Sequence, residues 1–390
     1  MSDESTPPEL SVVMPCLNEA DTVAVCVRKA VTALREAGIP GEVLVADNGS
    51  TDGSQALAEA EGARVVAVTA KGYGHALMGG IAAARAPWIL MGDADDSYDF
   101  LDLPRFHAKL AEGHDLVQGC RLPAGGGTVA AGAMPWSHRW IGNPMFSFLA
   151  RWWFRAPIHD IYCGMRAFTK THYDRLDQRC TGMEFATEMI IKSSLLGARI
   201  AEVPITLHPD GRKAHAPHLK TFRDGWRTLR FFLMCSPRWL FLVPGLLLIL
   251  VGLLGSALAL PGVVWRGIAF DVHTLLYANV AILCGWQAVL FGVFTKVFAV
   301  NEGLLPPDHR LARISRWWSL DKGVLFGALA FLGGIALLGS LFWRWSADGF
   351  GDLDYPRTLR VAIPGATLTA LGLLTALAGF FTGILGLKRR

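Results

Sequence analysis

The sequence predicts an α/β domain built on a mostly parallel sheet, followed by a domain of four membrane-spanning helices. Three observations carry this. Over the first 120 residues, short apolar runs alternate with segments of helical spacing, the pattern of strands joined by crossover helices. Beyond residue 239, four long stretches are almost free of charge, and about 20 apolar residues in a helix cross a hydrocarbon layer. Polar groups also gather at the ends of the predicted strands, where ligands of such sheets bind.

The strands come first. Leu10–Met14, Glu42–Ala46, Arg64–Val68, Trp88–Met91 and Leu116–Gly119 are short apolar runs that read as buried strands. Between them Val23, Val27, Val31 and Leu34 recur at helical spacing, as do Ala76, Gly80 and Ala83. The head domain is expected over residues 1–220. Its start, Met1–Leu10, is polar and acidic with no apolar signal core, so the head is expected to stay cytoplasmic.

Three strands end on acidic or amide groups. Pro15-Cys16-Leu17-Asn18-Glu19 follows the first, and Asp47-Asn48-Gly49-Ser50-Thr51-Asp52-Gly53 follows the second. Asp93-Ala94-Asp95-Asp96 follows the fourth. Two carboxylates one residue apart, at the end of a buried strand, can both approach one divalent ion. Mg²⁺ or Mn²⁺ prefers oxygen ligands and often shares them with substrate phosphates. Asp93 and Asp95 are therefore the candidate metal ligands. The Asp47 run suits a turn with a helix cap, yet Asp47 itself ends a strand, where a carboxylate can accept hydrogen bonds from a nucleobase. Lys71-Gly72-Tyr73-Gly74-His75 precedes a helix. Glycines there would let backbone approach a phosphate, and a helix N-terminus favours anions.

Residues 123–132 form a Gly- and Ala-rich loop. Pro135–Arg155 then interleaves Trp136, Trp140, Trp152 and Trp153 with Arg139, Arg151 and Arg155, a composition suited to the membrane–water boundary or to an aromatic core helix. Over 221–238 an amphipathic interfacial helix is expected. Phe222, Trp226, Leu229 and Leu233 fall on one face, and Arg223, Arg227 and Arg230 on another. The transmembrane domain follows over 239–390, with spans at 239–260, 274–298, 323–343 and 361–387.

Lys and Arg flank the first span, the loop between the second and third, and the end of the fourth. The other two loops are poorer in positive charge. Basic flanks mark the cytoplasmic side, so both termini are expected there. Hydrophobic residues make up 52% of the chain and charged ones 18%, too apolar for an ordinary soluble protein. A net charge of +4, with basic residues beside the spans, favours anionic lipid head groups over nucleic acid. The seven cysteines form no CxxC pair, which argues for reduced thiols rather than a disulfide frame or a zinc site.

Taken together, Pro15–Glu19, Asp47–Gly53, Asp93-Ala94-Asp95 and Gly119-Cys120-Arg121 resemble the motifs of glycosyltransferase family 2. Those enzymes have the Rossmann-like GT-A fold. Asp160–Arg166, Gly182–Phe185 with Glu188, and Glu202–Ile205 extend the likeness, which covers residues 10–220. The chain looks most like the dolichol-phosphate mannose synthase type and its bacterial polyprenyl-phosphate relatives. The resemblance implies inverting transfer of a sugar from a UDP- or GDP-hexose to a polyprenyl or dolichyl phosphate. It implies an integral membrane enzyme of a bacterial inner membrane or its equivalent, in contact with membrane lipids and dependent on Mg²⁺ or Mn²⁺.

Carried over to this sequence, Pro15, Asn18, Glu19, Asp47, Lys71 and Asp93 would hold the nucleotide-sugar. Asp95, Arg121 and Arg166 would be catalytic, with Arg121, Arg166, Arg212 and Lys213 meeting the acceptor phosphate. The second motif reads Asp-Asn where many members have two acidic residues. The late basic loop, Asp210–His218, also departs from the usual pattern. A glycolipid or polysaccharide synthase with a hydroxyl acceptor is the alternative. Ser236-Pro237-Arg238-Trp239 lacks the Gln of the Gln-x-x-Arg-Trp motif that processive members carry.

Overall fold

A computed structural model describes residues 7–212, 221–302, 305 and 320–386 of the chain. They form two compact units, Met1–Phe232 and Leu233–Arg390.

The first unit is built on a seven-stranded sheet. Its strands are β1 (Leu10–Cys16), β2 (Gly41–Asp47), β3 (Arg64–Ala67), β4 (Trp88–Met91), β5 (Leu116–Cys120), β7 (Arg166–Thr169) and β8 (Ile200–Pro204). The short β6 (Thr128–Val129) pairs elsewhere, with β9 (Thr206–Leu207). The order is β3-β2-β1-β4-β7-β5-β8. All neighbours are parallel except β7, which runs against both β4 and β5. The five expected strands are present, each within two residues of the expected ends.

Burial explains their composition. Leu10, Val12, Val13 and Met14 are all fully buried, because β1 is covered on both faces and shows no alternation. On one face lies α1 (Val23–Glu36), which turns Val23, Cys26, Val27, Ala30, Ala33 and Leu34 inward at helical spacing. On the other, α2 (Tyr73–Ala83) approaches so closely that a Cβ on Gly80 would lie 2.5 Å from Val13.

The reversed strand matters for function. Arg166, its first residue, sits opposite Met91 of β4 and Gln118 of β5. The segment leading into β7 therefore reaches the same rim at which β4 and β5 end.

Two aromatic helices complete this unit. Asn143–Phe154 follows a π-helical turn, His138–Gly142. Pro144 lacks the N–H an α-helical ladder would use there. Phe146, Ala150 and Phe154 face inward, while Trp136, Trp140, Phe148 and Trp152 are exposed. This segment is thus both an aromatic core contact and an aromatic surface. The helix Thr221–Cys235 buries Thr228 and Phe232 and leaves Trp226 60% exposed. Phe232 meets Phe146 and Phe154 edge-on, with centroids 5.8 and 5.5 Å apart. Its anchoring residue is therefore Phe232, which lay outside the expected apolar stripe.

The second unit contains four helices long and apolar enough to cross a membrane: Arg238–Ala259, Val272–Asn301, Asp321–Ala347 and Tyr355–Leu385. Only 11–22% of their most apolar windows is buried within the protein, so the remaining Leu, Phe and Val surface needs an apolar solvent. Glycines let these helices touch backbone to backbone. A Cβ on Gly245 would lie 2.8 Å from Gly285 O, and one on Gly372 would lie 2.2 Å from Phe331 N. The second and fourth spans are joined by Trp286 Nε1 donating to Thr375 Oγ1 at 3.0 Å.

Candidate active site

The site is a rim of loops at the carboxyl ends of β1, β2, β4 and β5. After β1, Asn18 adopts a left-handed conformation (φ 60°), which asparagine tolerates better than most residues. Its N–H donates to Ser50 Oγ at 2.9 Å, and its Oδ1 accepts from Thr51 N at 2.9 Å. Asn18 thereby ties the β1 loop to the β2 loop. Glu19 N donates to Ser54 Oγ at 2.9 Å, while the Glu19 carboxylate is buried. Thr22 Oγ1 donates to Ala94 O at 2.7 Å, linking the same loop to the Asp93–Asp95 turn. Pro15, within β1, sits in register with Ala46.

Asp47 ends β2 as expected, but its carboxylate faces its own loop. It accepts from Gly49 N at 3.0 Å, Ser50 N at 3.2 Å and Gln55 Nε2 at 3.0 Å. The turn-capping reading of this run thus accounts for the contacts made. Lys71 is exposed and donates from Nζ to Asn48 O at 2.5 Å. The glycines beside it serve packing. Gly72 N donates to Asn48 Oδ1 at 2.8 Å and Gly74 N to Thr181 O at 2.9 Å. A Cβ on either would lie 2.7 Å from backbone of residues 180–181. These two N–H groups are already bonded, which differs from the expected phosphate cradle.

At the end of β4, Asp93 Oδ1 accepts from the Tyr73 hydroxyl at 2.9 Å. Its Oδ2 faces Gly164, where a Cβ would come within 2.6 Å. Burial and the neighbouring charge of Asp95 push the Asp93 carboxyl up to about 7, against the lowering pull of the Tyr73 hydrogen bond and of Arg212 and Arg121. Asp95 Oδ1 accepts from Ser97 Oγ at 2.6 Å, and its Oδ2 lies 3.4 Å from Arg212 Nη2. The strand end therefore gathers two carboxylates whose charges act on each other. Hard oxygen donors of this kind fit Mg²⁺ or Mn²⁺, with further positions left to substrate phosphates. Among the described residues, no cluster of three or more His, Cys, Asp or Glu is arranged to hold a metal, so the protein's share would be this pair.

Three arginines were expected here, and each is placed differently. Arg212 donates to Glu19 at 2.6–2.9 Å and to Asp210 Oδ2 at 2.8 Å. Its segment is pinned to the Asp95 turn by Gly211 N donating to Asp95 O at 3.0 Å. Arg121 follows β5 and forms a buried two-point pair with Asp160, Nε to Oδ2 at 2.7 Å and Nη2 to Oδ1 at 2.9 Å. Although burial opposes its charge, that carboxylate and its hydrogen bonds hold the Arg121 guanidinium well above its ordinary value. Arg166 is 0% exposed and donates to Ala186 O and Cys163 O, both at 2.6 Å. Burial pulls it below its ordinary value. It does not reach the open rim, because β7 is the fifth of seven strands and covered on both faces. Lys213, like Lys220, His215 and His218, lies outside the described residues.

Several residues here were not singled out from sequence. Tyr73 orients Asp93 from 20 positions away, Tyr98 Oη accepts from Gly164 N at 2.8 Å, and Ser97 holds Asp95. Only Ser97, two residues past Asp95 in an Asp-Asp-Ser turn, left a local signal.

The family model "Glycosyl transferase family 2" matches residues 11–177, and "Glycosyltransferase family 2 C-terminal transmembrane region" matches residues 293–386. A low-salt glycan biosynthesis hexosyltransferase of Haloferax volcanii, Agl6, is 36% identical over 99% of this chain and 91% of that protein. A dolichyl-phosphate hexose transferase of the same organism is 32% identical over 57% of this chain and 91% of its own length. A solved structure, glucosyl-3-phosphoglycerate synthase of Mycobacterium tuberculosis with Mn²⁺, uridine diphosphate and glucosyl-3-phosphoglycerate, aligns with a TM-score of 0.46. It is 21% identical and covers 58% of this chain and 79% of that one. With its mostly parallel seven-stranded sheet, its four long apolar helices, both family models and a relative 36% identical along almost its whole length, this integral membrane protein belongs to glycosyltransferase family 2.

Proposed function

We propose that this glycosyltransferase moves a hexose from a UDP- or GDP-hexose to a polyprenyl or dolichyl phosphate, with inversion, at the cytoplasmic face of a membrane. One observation carries the reading. The Asp93–Asp95 pair after β4 shares a rim with Arg121, which follows β5, and with Arg212, whose Nη2 lies 3.4 Å from Asp95 Oδ2, in a chain with four helices able to cross a membrane. The similar dolichyl-phosphate hexose transferase supports the acceptor class. The basic loops flanking the spans support the cytoplasmic placement. The exposed Trp136, Trp140, Trp152 and Trp226 support contact with membrane lipids.

Asp93 and Asp95 would hold Mg²⁺ or Mn²⁺, which when bound supplies charge neutralisation to a departing diphosphate. Pro15, Asn18, Glu19, Asp47 and Lys71 border the nucleotide's side of the rim. A lipid phosphate is already anionic near neutral pH and needs no general base. One of its oxygens forms the new bond to C1 as the bond from C1 to the diphosphate oxygen breaks, the electron pair leaving with the diphosphate. Arg121 and Arg212, with Lys213, would orient that phosphate behind C1. Arg166 acts at one remove, fixing the carbonyls of Cys163 and Ala186.

The test uses the full chain, radiolabelled nucleotide-sugars, polyprenyl phosphate and Mn²⁺. Label should enter an acid-labile lipid with inverted configuration. Asp95→Ala should lose at least ~100-fold in rate while melting near the parent temperature. A retained configuration, label on a hydroxyl acceptor, or full activity in excess EDTA would overturn the proposal.

A further inference from the structure

One rim carboxylate is engaged by neither the metal pair nor the nucleotide loops. Glu202 lies on β8, in register with Gln118 of β5. Its Oε1 accepts from His159 N at 2.5 Å and from Asp160 N at 3.3 Å, and its Oε2 meets His159 Nδ1 at 2.6 Å. Both oxygens are thus committed to the turn at residues 159–160. The next carboxylate along, Asp160, is 0% exposed and carries the Arg121 pair. Asp160 Oδ2 also accepts from Arg121 N at 3.1 Å, so side chain and backbone of Arg121 are fixed together. From the other side, Gln118 Nε2 donates to the carbonyls of Asp160 and Cys163, both at 3.0 Å.

We infer that Glu202 is a positioning residue for the acceptor phosphate: it fixes the His159–Asp160 turn, and through the two-point Asp160 pair it aims the outer nitrogen of Arg121. The inference rests on the reading above, in which Arg121 meets that phosphate. A pair made through Nε and Nη2 points Nη1 away from the carboxylate, and the direction of Nη1 then follows the place of Asp160. Without Glu202, two part-buried N–H groups lose their acceptor and the turn relaxes. Displacing a substrate-orienting group by ~1 Å costs up to ~100-fold in rate. Glutamate suits the place because one carboxylate serves the backbone and the His159 ring at once, while its methylenes span the gap from β8.

The test is steady-state kinetics on the full-length enzyme, with polyprenyl phosphate and the nucleotide-sugar varied separately. Glu202→Asp keeps the charge but withdraws it by one methylene. It should raise the acceptor KM about tenfold and leave the donor KM and melting temperature near the parent values. Glu202→Gln keeps an oxygen for the two N–H groups and should recover most of that loss. With Arg121→Lys, which breaks the two-point pair, Glu202→Asp should add little. A merely structural Glu202 would lower the active fraction and melting temperature without moving the acceptor KM, and that result overturns the inference. If Arg121→Lys raises the acceptor KM and Glu202→Asp does not, the inference alone fails. If Arg121→Lys leaves it unchanged, the assignment of Arg121 itself fails.

Discussion

Asp160→Asn isolates the cost of the buried pair beneath the rim. Asp160 is fully buried and binds Arg121 through Nε at 2.7 Å, Nη2 at 2.9 Å and the backbone N at 3.1 Å. Asparagine keeps one carbonyl oxygen, which can serve one of these donors. Its amide nitrogen would face a guanidinium N–H, donor against donor, and the Arg121 charge would stay buried without a counter-ion. Breaking a buried pair from one side costs about 3–5 kcal/mol. At about 2–4 °C per kcal/mol for a domain of this size, the melting temperature should fall by about 6–20 °C. The measurement is thermal unfolding of the full chain in detergent, followed by tryptophan fluorescence. Arg121→Leu with Asp160→Leu removes both charges. It should recover much of the loss, because a paired charge removed with its partner no longer needs solvation, yet stay inactive. A shift under about 2 °C for Asp160→Asn would show that water reaches the pair.

Two further outcomes follow from the same geometry. Gly164→Ala places a Cβ 2.6 Å from Asp93 Oδ2 and 3.2 Å from the Tyr98 ring. It should weaken Mn²⁺ dependence by at least about tenfold, with a stability cost of about 1–3 kcal/mol, read by Mn²⁺ titration of activity and by melting. Unchanged Mn²⁺ dependence would separate Gly164 from the site. Away from the rim, burial raises the Glu42 carboxyl, but hydrogen bonds from Arg85 N, Arg64 and Ser11 outweigh it and hold it below the ordinary 4.5. A lowered folded value contributes stability above the unfolded value and loses it as pH falls through the folded one. Glu42→Gln should therefore melt about 2–4 °C lower at pH 7, with the gap closing below pH 4.5. A gap that persists in acid would refute the assignment.

What the sequence reveals here depends on how local the cause is. Leu10–Cys16 and Trp88–Met91 declare themselves as strands because burial on both faces demands unbroken apolar runs. The spans do so because lipid tolerates little else. Arg166–Thr169 gives no such signal, since its four residues begin with a charge that is satisfied only by carbonyls of Cys163 and Ala186. The glycines of the 71–75 loop were legible as a demand for close approach. The object approached, backbone at residues 180–181, lies more than 100 positions away, beyond any local window. Likewise Glu202 stands 42 positions from Asp160, and only the β5–β8 register brings them to one rim.

The distances at Arg212 explain why the acidic pair beside it stays available. Glu19, Asp95 and Asp210 all border one guanidinium. If they shared it equally, Asp95 would be locked and the rim would be a closed ion-pair network. They do not share equally. Glu19 and Asp210 are bonded at 2.6–2.9 Å, whereas Asp95 Oδ2 stands at 3.4 Å, beyond a well-formed hydrogen bond of its kind. Ser97 supports only the other oxygen of Asp95. Tyr73 likewise supports only Oδ1 of Asp93. One oxygen of each aspartate is thus fixed from behind by a neutral donor, which sets its direction without cancelling its charge. The other oxygen of Asp93 faces Gly164, and the other oxygen of Asp95 stands 3.4 Å from Arg212. On the proposed reading these two oxygens would take the ion, and the shorter bonds of Arg212 to Glu19 and Asp210 keep its guanidinium from occupying that place.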